Sequence, residues 1–224
     1  MSETTTKTTI HHLFILDESG SMSSVRQQTI NAFNELMSHN TNLISENPDQ
    51  EHRLSFITFN GRGIKTVCFN EPLDEKRLLD FSKYNPDDNT PLWDAMGSSI
   101  LRLKQEIWGK PLQHVLVTIL TDGMENASKE FSNKEIKLLV EDLKSKGWAF
   151  TYLGTEHDVH KAADALNFNR GARVSFNKEC MEDAVFMMHR SRSEHAARVR
   201  NKLDVNENLM IVAEKALNEK KKNK

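Results

Sequence analysis

The sequence predicts an α/β domain that is doubly wound: a mostly parallel six-stranded sheet with one antiparallel edge strand and helices on both faces. Apolar runs of strand length alternate with stretches of helical periodicity along nearly the whole chain. One pair of runs flanks an Asn-Gly turn, a strong short-range hairpin signal. The first run, 10–16, reads as a strand buried on both faces, as the inner strands of parallel sheets are.

The elements follow in order. Residues 1–9 are polar and threonine-rich and read as a short flexible lead. The strand at 10–16 leads to a helix capped at Ser23 or Ser24. That helix runs to about residue 45, with Val25, Ile30, Phe33, Met37 and Ile44 at helical spacing and Asn47-Pro48-Asp49 as its stop. Residues 53–59 alternate like a strand, turn at Asn60-Gly61-Arg62-Gly63, and return at 64–69, which places the antiparallel edge. A short helix is expected at 74–81. A polar loop at 84–91 ends with Thr90 as N-cap and Pro91 in the first turn of a helix carrying Met96, Ile100, Leu103 and Ile107. The run 114–121 is the most strand-like in the chain and ends at Asp122-Gly123. A helix at 133–146 closes at Gly147, and a strand at 148–153 ends at Gly154. A helix at 158–167, a short strand at 172–176 and a helical region from 178 complete the pattern.

Residues 10–200 thus form the domain, and 201–224 form a helical extension with a basic tail whose last six residues read as solvated. The apolar cluster Leu209, Ile211, Val212 and Leu217 serves either to pack this helix back on the domain or as an adaptor for a partner.

The 224 residues are 38% hydrophobic and 28% charged with a net charge of −2, a soluble globular balance without a general pull toward nucleic acid or acidic membranes. Arg190, Arg192, Arg198, Arg200 and Lys202 make the late helix basic, but aromatics are missing, so a solvated face is expected. The two cysteines, Cys68 and Cys180, are far apart, which argues against a disulfide framework or zinc site and for a reducing compartment. The N-terminus lacks a signal-like apolar core and no run is long and apolar enough to span a bilayer, so a cytoplasmic location is expected. His157 and His160 are spaced as a helical pair, but no acid or cysteine cluster surrounds them.

Chemistry concentrates in three segments. Asp17-Glu18-Ser19-Gly20-Ser21 follows the first strand, Thr90 precedes a helix, and Asp122 ends the strong central strand. Ligands in open α/β sheets bind beyond the carboxyl ends of the strands. Carboxylates and hydroxyls without imidazole or thiolate favour Mg²⁺, with Mn²⁺ or Ca²⁺ as alternatives. A nucleophilic Asp17 would want a second acid two residues on, where Ser19 stands. A nucleophilic Ser21 would want a Gly-x-Ser-x-Gly elbow, which is missing. Each hydroxyl taken singly could instead cap a helix. Glu18 is expected to point outward, Glu125 either to back the site or to be solvated, and Asp94 to stabilise the positive end of its helix. Gly61-Arg62-Gly63 lacks the third glycine and the following helix of a dinucleotide fingerprint.

This arrangement resembles the metal-ion-dependent adhesion site of von Willebrand factor A domains: Asp-x-Ser-x-Ser after strand one, a Thr in a later loop, and an Asp after strand four. The resemblance spans roughly residues 10–190. It extends to stand-alone bacterial and phage-type members through Leu120-Thr121-Asp122-Gly123-Met124-Glu125-Asn126-Ala127-Ser128 and Gly147-Trp148-Ala149-Phe150-Thr151-Tyr152-Leu153-Gly154. It implies a Rossmann-like fold and a cation held by Asp17, Ser19, Ser21, Thr90 and Asp122. It also implies a non-enzymatic module whose coordination sphere is completed by a Glu or Asp carboxylate of a protein partner. Analogy with the stand-alone members adds an AAA+ ATPase as a candidate partner. Two rival readings stand beside it. One is a metal-dependent hydrolase or phosphoryl-transfer enzyme using the same ion, with Glu18, Glu125 or Asp94 as base. The other is a scaffold with a vestigial metal site that binds through its C-terminal helix. The oligomeric state is left open.

Overall fold

The structure, a computed structural model, describes residues 7–73, 82–122, 124–154, 173–175, 181–205 and 209–222. Its centre is β1 (Thr8–Asp17), which pairs in parallel with β2 (Gln50–Asn60) on one side and β4 (Gln113–Leu120) on the other. β2 pairs antiparallel with the edge strand β3 (Gly63–Pro72), and β4 pairs in parallel with β5 (Ala149–Gly154). A three-residue stretch, β6 (Arg173–Ser175), lies parallel to β5. The remainder of the strand expected at 172–176, and the helices expected at 74–81 and 158–167, fall outside the described residues, as do His157 and His160.

The central strand is buried on both faces because its residues alternate between two apolar layers. Ile10, Phe14 and Leu16 face one layer with Leu36, Phe56 and Met188. Leu13 and Ile15 face the other with Met96, Ile100, Val117 and Val140. The first layer is roofed by α1 (Arg26–Ser38) and α5 (Met181–Arg200), the second by α3 (Leu92–Glu106) and α4 (Asn133–Ser145). α6 (Leu209–Lys222) packs on α5 and buries Leu209, Ala213 and Leu217. Lys221 pairs with Asp183 at 2.6 Å and Lys220 lies over the Phe186 ring, so part of the tail expected to be solvated is helical to Lys222.

The single helix expected from Ser23 or Ser24 to about residue 45 is three pieces: a 3-10 turn (Gly20–Val25), α1, and α2 (Asn40–Glu46). Neither Ser23 nor Ser24 caps it; Val25 occupies the cap position of α1 and Ser23 donates to the Pro86 carbonyl. The break at His39 follows from local competition. The Ser38 hydroxyl and the His39 ring both bond the Glu35 carbonyl at 2.7 Å, drawing it from the helical ladder. The hairpin turn falls as expected at Gly61-Arg62, with the Arg62 amide donating to the Asn60 side chain. α4 has a full capping box, Ser132 with Glu135.

Candidate functional site

The carboxyl ends of β1 and β4 are neighbours, so Asp17 and Asp122 arrive at one edge. Four of the five expected ligands form a continuous hydrogen-bonded chain there. The Ser19 amide donates to Asp17 Oδ1 at 2.7 Å, the Ser19 and Ser21 hydroxyls lie 3.1 Å apart, and the Ser21 hydroxyl donates to Asp122 Oδ1 at 2.6 Å. Asp17 and Ser19 are buried while Ser21 is exposed, so the chain runs from the sheet interior to an open mouth.

Thr90 is brought to this edge by its loop. The Gly20 amide donates to the Asp88 carbonyl at 2.8 Å, and the Asp87 amide to the Glu18 carbonyl at 2.9 Å. Thr90 is not the N-cap of α3: Pro91 holds that position and no side chain of the preceding loop caps the helix. The amides of Trp93 and Asp94 are taken by Glu125 and Ser128 from the loop after β4. Ser19 stands at the cap of the 3-10 turn without a side-chain cap bond. The hydroxyls of Ser19 and Thr90 are therefore not consumed by helix capping, the plainest alternative to ligation.

Burial pushes Asp17 up to about 6, and the neighbouring charge of Asp122 pushes the same way; the hydroxyls of Thr121 and Ser19 and the Ser19 amide oppose it. Thr121 donates to Asp17 Oδ2 at 2.6 Å and Tyr84 donates to the Asp17 carbonyl at 2.7 Å. Two close carboxylates, one deeply desolvated, form a place where a cation would be favoured. The donor set is oxygen only, which suits a hard divalent ion. Among the described residues, no three His, Cys, Asp or Glu side chains converge as a metal-binding group, so an ion here would depend on hydroxyls as well as the two acids.

The acids around the site serve the loops. Glu18 turns inward, contrary to the sequence expectation: it is buried and accepts the Asn85 amide at 2.6 Å. Glu125 accepts the amides of Trp93, Ala127 and Ser128 and the Ser128 hydroxyl, all within 2.9 Å. Asp94 accepts the amides of Lys129, Glu130 and Phe131 instead of serving its own helix end. Asn126 accepts the Thr90 amide at 2.8 Å and donates its own amide to the Thr90 carbonyl. The sequence alone gives no role to Thr121 and Asn126, which are named only within the resemblance, nor to Tyr84. The signal for Thr121 and Asn126 is their position beside Asp122; Tyr84 carries none. Beside the mouth lies an open hollow of about 340 Å³ lined by Glu18, Asn60, Arg62, Ile64, Lys65 and Asn85.

No protein-family model matches this sequence, and no curated protein matches it. Solved structures do resemble the fold. The PilB minor pilin from Streptococcus sanguinis aligns with a TM-score of 0.55 at 13% identity, over 85% of this chain and 63% of that one. The SpRpn10 VWA domain aligns with a TM-score of 0.51 at 12% identity, over 78% of this chain and 94% of that domain. The vWF domain of the type V pili tip protein Mfa5 from Porphyromonas gingivalis aligns with a TM-score of 0.60 at 8% identity, over 88% and 97%. This chain thus spans less than two thirds of the pilin but nearly the whole of the two isolated domains. At these identities the likeness concerns architecture: the chain has an α/β fold of the von Willebrand A type.

Proposed function

We propose that the chain is a protein-binding module that uses a divalent cation to capture an acidic group of a partner. Asp17, Ser19, Ser21, Thr90 and Asp122 would hold the ion, with Mg²⁺ the best fit and Mn²⁺ or Ca²⁺ as alternatives. The bound ion would supply positive charge with open coordination for a Glu or Asp carboxylate. The observation that carries this reading is the chain of Asp17, Ser19, Ser21 and Asp122 at the sheet edge.

An enzymatic reading with the same ion needs a base nearby. Its three candidates, Glu18, Glu125 and Asp94, each accept backbone amides that hold the loops, which favours a binding role. A scaffold working through the C-terminal helix is disfavoured because Leu209, Ala213 and Leu217 are buried.

The test is Mn²⁺ binding by electron paramagnetic resonance at pH 7.5, competed with Mg²⁺, on the full chain and on Asp17→Ala. Saturable binding at one site, displaced by Mg²⁺ and lost in the variant, is expected. Equal binding by both proteins overturns the proposal.

A further inference from the structure

On the sheet face roofed by α5, among the residues of the apolar core, sits a group of histidines that the proposed function does not use. His12 on β1 and His52 on β2 are buried, their rings stacked with centroids 5.4 Å apart and His12 Nε2 3.1 Å from His52 Nδ1. His195 of α5 is fully buried, and neither of its ring nitrogens has a hydrogen-bond partner among the described residues; His12 Nδ1 and His52 Nε2 are likewise unpartnered. Arg192, one turn before His195, was expected on a solvated face. It is instead fully buried, and its hydrogen-bond partners among the described residues are neutral acceptors of α1 and its C-terminal junction, the Leu36 carbonyl and the Asn40 side chain.

We propose that this His12–His52–His195 group beside Arg192 is an acid-sensitive latch: it holds α5 and the helix α6 packed on it against the sheet at neutral pH and releases them on acidification. A protonated histidine here would place a second positive charge beside the buried guanidinium, with no carboxylate among the hydrogen-bond partners that the described residues give either group. Released from the sheet, the same histidines would take up protons freely in water. The charged groups facing them from the surrounding elements are mostly of the same sign. Arg192 acts on His12 and His52, and Arg200 on His52; the titratable neighbours are His11 of β1 and His114 of β4, while the His39 and His189 rings lie tilted to one another at the α1 end with centroids 4.4 Å apart. Among the described residues the acid acting on His52 is Asp49, and it is already paired with Arg200 at 3.0 Å.

The direction of the linkage is fixed by burial. Desolvation is the main cause that lowers His52 to about 4 and His195 to about 3, and it holds His12 well below the usual histidine range. A group lowered in the docked state contributes its stability above the free value of about 6.5 and loses it as pH falls toward the docked value. Between pH 7 and 5, each histidine that reaches water favours release about twenty-fold.

Hydrogen exchange of the full chain by mass spectrometry, corrected for intrinsic rates, tests this at pH 7.0 and 5.0. Amides of 181–200 and 209–222 should lose at least about 100-fold of their protection at pH 5.0 while β4 and β5 keep theirs, and His195→Leu should remove about twenty-fold of that loss. Protection of α5 that is unchanged, or that falls in step with β4 and β5, overturns the latch. Because His195→Leu could fail to fold, NMR titration of the wild-type histidines gives a second reading. Three histidines unprotonated in the folded chain at pH 5.5 support the latch; titration of all of them near the free value overturns it. None of these readouts involves the cation.

Discussion

The hydroxyl of Ser21 donates to Asp122 Oδ1 at 2.6 Å, joining residues 101 positions apart in sequence at the exposed mouth of the sheet edge. In the proposed module this bond stands where a cation would be shared by the same two oxygens. The bond sits at the exposed mouth, with Ser21 exposed and Asp122 half-buried, so it contributes little to folding: removing one partner changes stability by about 1 kcal/mol or less. Ser21→Ala and Asp122→Ala should therefore keep a near-native melting temperature while weakening Mn²⁺ binding at least about tenfold, a loss on the order of 1.4 kcal/mol. Calorimetric titration and thermal melting of the same samples check both halves.

Proton and cation compete at Asp17. Burial holds its carboxyl up to about 6, so the proton occupies it in mildly acidic buffer. Binding that requires the ionised form should be about fourfold weaker at pH 5.5 than at pH 7.5, by the fraction of Asp17 protonated. The stability effect has the opposite sign to that of the histidines. An acid raised in the folded state favours folding below its folded value, and that contribution is lost as pH rises from about 4 to about 6. Added Mg²⁺ should therefore raise the melting temperature more at pH 7.5 than at pH 5.5. An equal gain at both values would remove Asp17 from the ligand set.

Glu125 is the pin of the loop after β4. Its carboxylate gathers three amides and a hydroxyl, and the adjacent Asn126 is bonded to Thr90 through both its side chain and its amide. Glu125→Ala leaves those donors to find water and should destabilise the chain by about 1–3 kcal/mol. Asn126→Ala removes one acceptor and should cost about 1 kcal/mol in stability, while Mn²⁺ affinity falls because the Thr90 loop is no longer held. Denaturant melts separate the two substitutions from one another, and the Mn²⁺ titration separates positioning from simple unfolding.

The parts of the molecule that a local pattern dictates were legible in the sequence. Apolar runs and alternation gave the strands, Asn60-Gly61 gave the hairpin, the carboxyl ends of strands one and four gave Asp17, Ser19, Ser21 and Asp122 as candidates, and the loop before a helix gave Thr90. The break of the first helix at His39 is a local effect, competition for the Glu35 carbonyl, but the misread single side chains are ones whose fate is decided by a distant segment. Glu18 turns inward because an amide 67 residues away needs an acceptor. The cap expected of Thr90 is supplied by Glu125 and Ser128 from another loop. Arg192 sits among polar neighbours on its own helix and reads as solvated, yet acceptors more than 150 residues away at the end of α1 draw it into the core. Spacing encodes which face of an element is apolar; it carries no record of which remote backbone group lacks a partner.

Gly97 shows the same point in packing terms. It lies inside α3, where replacing glycine by alanine ordinarily stabilises a helix by about 1 kcal/mol. Here a β-carbon would lie 2.6 Å from the Phe131 ring, which packs over that turn of the helix. Phe131 belongs to the loop whose amides Asp94 holds, so the ring cannot withdraw without loosening those bonds. Overpacking of this kind usually costs about 1–3 kcal/mol. Gly97→Ala should therefore destabilise the chain despite its helix propensity, and Gly97→Ala combined with Phe131→Ala should recover the propensity gain relative to Phe131→Ala alone. Urea melts of the four proteins of this cycle measure the coupling; a stabilised single variant would show that the ring yields freely.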